Sequence, residues 1–103
     1  MKNIDVIREF VKGNNSHNAI NHIGYRKNTF WNYSTVLAEV DRNKKTVLFN
    51  ITKYSVTTGR IQNMLRRELE AAGFVIEEVV GAAANVWNYG YQGAPTLKKS
   101  DFA

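Results

Sequence analysis

The sequence predicts an α+β domain, an antiparallel sheet of three to five strands with two helices packed on one face, in the order α-β-β-β-α-β. Three observations lead there. Apolar residues recur at helical spacing near the start of the chain and again from Ile61 to Ala72. β-Branched and aromatic residues dominate residues 20–52 between them, and turn-formers cut that stretch into strand lengths.

In the first helix Ile4, Val6, Ile7, Phe10 and Val11 fall on one side and Asp5, Arg8, Glu9 and Lys12 on the other. Asn3 is placed to cap its start and Gly13 to end it, and Asn14, Asn15 and Ser16 continue as a polar turn. Tyr25 to Tyr33 reads as a hairpin about Lys27-Asn28. Thr35 to Asp41 is a strand, and Thr46 to Thr52 is its partner across Arg42-Asn43-Lys44-Lys45. Alternation puts Val47, Phe49 and Ile51 on a core face that Val36, Ala38 and Val40 should meet. The second helix begins near Thr58, with Thr57 or Thr58 as its cap, and runs to Ala72 before Gly73. Glu68 projects into its apolar arc, which suits a rim carboxylate reaching water or an Arg, because an unpaired buried carboxylate is costly. Phe74 to Val80 is a final strand. Residues 1–81 thus form a single domain, and 82–103, aromatic and then basic, an appendage that could add a strand, dock on its own sheet or dock on a neighbouring subunit.

Composition narrows the chemistry. The absence of cysteine excludes disulfides, thiol nucleophiles and thiolate zinc sites, and two histidines supply little else for a metal. No continuous apolar run occupies the first eleven residues, so neither a signal peptide nor a membrane span is expected. The expectation is an intracellular binding protein without a cofactor, not an enzyme.

Charge placement is the most informative feature. The 14 basic residues exceed the 9 acidic ones by 5. Between Arg42 and Arg67 lie Arg42, Lys44, Lys45, Lys53, Arg60, Arg66 and Arg67 with no acid among them, after which Glu68, Glu70, Glu77 and Glu78 reverse the sign. Such a region suits a phosphate backbone, and a solvated surface that keeps the protein soluble accounts for it equally. With Tyr54 and Asn63 these seven are the candidate binding residues. The passage Asn50 to Arg60 is dense in hydroxyls and ends at a helix start, where backbone amides with Lys53, Thr57, Thr58 and Arg60 could hold a phosphate or carboxylate. A well-capped helix with a polar loop is the simpler account of it, and it lacks the glycines of a phosphate-binding Walker loop.

Trp31 and Tyr33, which alternate in the hairpin, read as core. Trp87, Tyr89 and Tyr91 of the appendage read as anchors for a partner. Ser16-His17-Asn18, with His22 nearby, offers a nucleophile and a base, but no oriented acid or oxyanion site accompanies them.

The run Asn50-Ile51-Thr52-Lys53-Tyr54-Ser55-Val56-Thr57-Thr58, followed by Arg60, Gln62-Asn63 and Leu65-Arg66-Arg67, resembles a signature of small bacteriophage-encoded proteins. Ser16-His17-Asn18 and Tyr33-Ser34-Thr35-Val36-Leu37-Ala38 fit the same pattern, which spans roughly residues 1–70 and departs from it at Gly59, where a serine is expected. The resemblance implies a phage accessory protein in the cytoplasm of the host bacterium. Its class implies antagonism of a host defence nucleoprotein, for example as an anti-CRISPR protein, or nucleic-acid binding, and it supplies no catalytic residue. The order helix, three strands, helix is also similar to a double-stranded RNA-binding domain, although the Lys-Lys pair of that family is absent at the second helix start and Arg60 sits near its place.

Overall fold

The structure, a computed structural model, describes residues 2–13, 18–20, 22–33 and 35–79. The appendage, with Trp87, Tyr89 and Tyr91, and the pair Ser16-His17 lie outside the described residues. Among the described residues two helices and six strands follow in the order α1 (Asn3–Lys12), β1 (Asn18–Ile20), β2 (Ile23–Arg26), β3 (Thr29–Asn32), β4 (Thr35–Asp41), β5 (Thr46–Asn50), α2 (Val56–Ala71) and β6 (Val75–Val79). The fold class is α+β, as the sequence predicts, and the sheet keeps sequence order from β1 to β6.

Two details differ from expectation. A short β1 joins the sheet ahead of the hairpin, and β6 pairs with β5 in parallel while every other pair is antiparallel. The parallel pair follows from chain path: α2 returns the chain to the end where β5 began, so β6 must run in the direction of β5.

Helix starts lie one to three residues ahead of the expected caps, while Gly13 ends α1 where expected. α1 starts after Lys2, whose backbone N–H donates to the Asp5 carboxylate at 2.8 Å, so Asn3 is already helical. Gly13 ends α1 at φ 89°, a left-handed conformation that costs glycine little. Ser55, not Thr57 or Thr58, caps α2, its Oγ accepting from the Thr58 N–H at 3.1 Å. The serine is extended, as a capping residue must be, which leaves both threonines inside the first turn.

Both helices close one core against one face of the sheet. Val6, Ile7 and Phe10 of α1 and Ile61, Leu65 and Leu69 of α2 join Tyr25, Phe30, Ala38, Val40, Val47 and Phe49. Phe10 packs its ring 5.7 Å from Tyr25 and 5.3 Å from Phe30, so α1 seats on the hairpin. Glu68 lies at the rim between the helices and meets Arg8 Nε at 3.0 Å. The opposite face carries Thr29, Trp31, Val36, Glu39 and Leu48, with a register shift between Phe30 and Trp31. Among the described residues no helix is long and apolar enough to cross a membrane.

Candidate partner-binding surface

A chain of polar contacts ties the start of α2 to one end of the sheet. Asn50, at the end of β5, donates through Nδ2 to Val36 O and to Tyr54 Oη, both at 3.0 Å, and its Oδ1 accepts from the Thr52 N–H. Gln62 reaches back from α2 and donates to the carbonyls of Asn50 and Thr52 at 2.7 and 3.1 Å. Thr58 donates to Asn32 Oδ1 at 2.6 Å, and Asn32 in turn donates to His22 O at 3.3 Å. These buried amides and hydroxyls satisfy one another, so the loop 51–55 is held by its polar side chains where little apolar area is available.

What this scaffold presents outward is apolar and aromatic. Tyr33 is 54% exposed, Ile51 36%, Tyr54 39% and Val56 75%, and all four lie at the end of the sheet where α2 begins. His22 stacks on Tyr33 with ring centroids 4.8 Å apart and planes 14° apart. Both residues adopt positive φ, 66° and 55°, and the Tyr33 N–H donates to His22 O, so two adjoining turns hold the rings together. Tyr33 is therefore a surface residue. The turn after β3 breaks the alternation that would have kept it on the face of the buried Trp31.

The basic region divides. Arg42 turns inward: its guanidinium donates to Phe10 O at 2.6 Å, Val11 O at 3.2 Å and Asn28 Oδ1 at 3.0 Å, and lies 5.5 Å from the centre of the Phe10 ring. Burial pulls its pKa below the ordinary value. Lys45 donates to Ala72 O at 3.0 Å and sits 4.7 Å from the Phe74 ring. Each therefore satisfies carbonyls where a helix ends and its dipole is negative, Arg42 for α1 and Lys45 for α2. Arg66 meets Glu78 at 2.6 Å and Glu70 at 4.0 Å while covering Phe49. That leaves Lys44, Lys53, Arg60 and Arg67, exposed and without an ion pair among the described residues.

Arg60 and Arg67 lie on one side of α2, seven residues or about 10 Å apart along the axis, with exposed Asn63 between them. Lys53, Asn63 and Arg66 border a shallow groove of about 270 Å³ floored by Phe49 and Ile51, with Gly59 at its edge. The four sequence candidates Lys53, Tyr54, Arg60 and Asn63 thus gather near the exposed apolar end, and Arg67 extends the line. Lys44 stands apart in the β4–β5 turn, beyond the opposite end of β5. The Thr58 hydroxyl, considered for anion binding, is spent on Asn32, and its backbone N–H on the Ser55 cap. Sequence reasoning missed His22, Tyr33, Ile51 and Val56 as surface groups.

A scan of protein-family models and searches of curated proteins and of solved structures each found no match to this chain. Among the described residues no group of three or more His, Asp or Glu could hold a metal ion.

Proposed function

We propose that this protein acts by binding another macromolecule, not by catalysis, and that the interface is the sheet end at the start of α2 together with the outer arc of that helix. One observation carries the reading: Tyr33, Ile51, Tyr54 and Val56 are exposed at a single end of the molecule, beside the cations Lys53 and Arg60, which form no ion pair among the described residues. Aromatic and arginine side chains around an apolar centre are the composition of interface hot spots. Val56 and Ile51 have no use against a phosphate backbone, which favours a protein partner whose apolar patch is rimmed by acidic or phosphate groups. A host defence nucleoprotein, such as a CRISPR effector met in the bacterial cytoplasm by a phage accessory protein, offers that combination.

The test is a binding titration against purified effector complexes at low and high salt, with Val56→Asp and with Arg60→Glu plus Arg67→Glu. Tight binding that survives salt and is lost in folded Val56→Asp supports the reading; unchanged binding by both variants overturns it. A second reading, direct binding of single-stranded nucleic acid, is favoured by the His22–Tyr33 stack, an exposed ring surface near Lys53 and Arg60 on which a base could lie. An electrophoretic shift that weakens steeply with salt and disappears in Tyr33→Ala would select it.

A further inference from the structure

The groove beside α2 is built where two sequence spacings meet. Phe49, Ile51 and Lys53 alternate along the chain as it leaves β5, and Gly59, Gln62, Asn63 and Arg66 stand three and four residues apart, one stripe along about two turns of α2. The space between them, about 270 Å³, is smaller than the pockets that hold cofactors and other small-molecule ligands. It is room for a large side chain.

The floor is apolar, and Ile51 leaves 36% of its surface exposed there. No acid is among the described residues that border it. Arg66 is taken up, with Nη1 2.6 Å from Glu78 and its guanidinium 5.8 Å from the centre of the Phe49 ring. Lys53, which forms no ion pair among the described residues, therefore sets the sign of the rim, and the exposed Asn63 adds an amide able to donate. Gln62 holds the carbonyls of Asn50 and Thr52 and so fixes the loop against the helix, which forms the groove before any partner arrives.

Gly59 is an independent observation at the same place. Its N–H donates to Ser55 O at 2.9 Å as a regular helical bond, and its φ is not positive, so the backbone conformation does not ask for glycine. A Cβ there meets nothing within 4 Å, so packing does not ask for it either. Glycine is unfavourable inside a helix, and neither reason offsets that cost. What the missing side chain provides is outside: bare backbone at the edge of the groove lets another backbone pass against the helix.

We infer that the groove takes an extended segment of a partner protein in which an apolar side chain stands between carboxylates. The apolar group lies on Phe49 and Ile51, a carboxylate meets Lys53, and the segment's backbone passes Gly59. The inference rests on the proposed partner-binding surface, of which the groove is one part.

The test is an amide-resolved NMR titration of the full chain with three capped tripeptides, acetyl-Glu-Phe-Glu-amide, acetyl-Gln-Phe-Gln-amide and acetyl-Lys-Phe-Lys-amide. The acidic peptide should shift the amides of Ile51, Lys53, Gly59 and Asn63 and bind about two- to fivefold more tightly than the neutral one, the effect of one exposed ion pair, with the basic peptide weakest. Replacing its Phe by Ala should remove the shifts. Gly59→Leu should fill the groove from the helix and abolish them with no loss of melting temperature, and Lys53→Glu should reverse the order of the three peptides. Equal binding by all three, or shifts that avoid these amides, overturns the inference. An oligothymidylate that moves the same amides more than the acidic peptide does overturns it by assigning the groove to nucleic acid. Nuclear Overhauser contacts from residues 80–103 to Ile51 and Gly59 overturn it by assigning the groove to the chain itself. Effector binding that is lost in Val56→Asp but kept in Gly59→Leu and Lys53→Glu overturns the groove and leaves the wider surface standing. Acidic-peptide binding at these amides with no effector bound does the opposite, supporting the groove while the effector reading falls.

Discussion

Glu39 gives the sharpest quantitative prediction. Burial on the outer face, only partly offset by the hydrogen bond from Thr29, pushes its pKa up from an ordinary 4.5 to about 7. The folded chain therefore holds a proton on Glu39 across a range in which the unfolded chain has released it. Stability from this group is fully present below pH 4.5 and is lost as pH rises through about 7. At about 1.4 kcal/mol per pKa unit, the loss is on the order of 3 kcal/mol, a large share of a small domain's stability. Glu39→Gln removes the titration while leaving an amide oxygen to accept from Thr29. Urea unfolding of parent and variant from pH 4.5 to 8, followed by circular dichroism, isolates this one group, since every other carboxylate is common to both. The two proteins should be nearly equally stable at the acid end. The variant should lead by about 2–3 kcal/mol at pH 8, which for a domain of this size is 10 °C or more in melting temperature. A difference between them that is flat in pH, or a parent more stable than the variant at pH 8, would refute the buried-carboxylate argument.

The Tyr25 hydroxyl is buried with no hydrogen-bond partner among the described residues, so Tyr25→Phe should leave stability unchanged or raise it by about 1 kcal/mol in thermal melts. A Cβ at Gly59 meets nothing within 4 Å, and Gly59→Ala in this helical position should add about 0.5–1 kcal/mol by the same measurement. Arg42→Met removes three hydrogen bonds to α1 and Asn28 and should cost about 2–3 kcal/mol, with partner binding retained by the molecules that remain folded. Arg60→Glu with Arg67→Glu should do the reverse, abolishing binding in a titration while moving the unfolding midpoint little.

Much of the fold is legible because hydrophobic spacing and turn chemistry agree. The apolar stripe from Ile4 to Val11, the Lys27-Asn28 turn and the Gly13 stop each mark a local event, and each is found where its residues place it. What was not legible depends on chain path. Nothing within Val75–Val79 distinguishes a parallel from an antiparallel strand; its direction follows from the return of α2. Tyr33 shows the same limit at one residue. Its alternation with Trp31 is real in sequence, but a left-handed turn intervenes and sends the two rings to different environments.

The binding surface was legible as a region and not as a set of residues, for an electrostatic reason. Seven cations in a row without an acid look like one patch, but the turn between β4 and β5 abuts the last residues of both helices, where unpaired carbonyls and the negative pole of each dipole attract positive charge. Arg42 and Lys45 stand at the two ends of that turn, and each is drawn to one helix. A cation on a hairpin tip that faces a helix C-terminus is thus a capping group before it is a ligand contact. A cation midway along a helix, such as Arg60 or Arg67, has no unpaired carbonyl within its own turn, because those carbonyls already accept from the amide four residues on. Position relative to helix ends therefore separates Arg42 and Lys45 from Arg60 and Arg67, whereas Arg66, midway along α2, is taken up by Glu78 and Glu70, and a count of charge along the sequence shows neither.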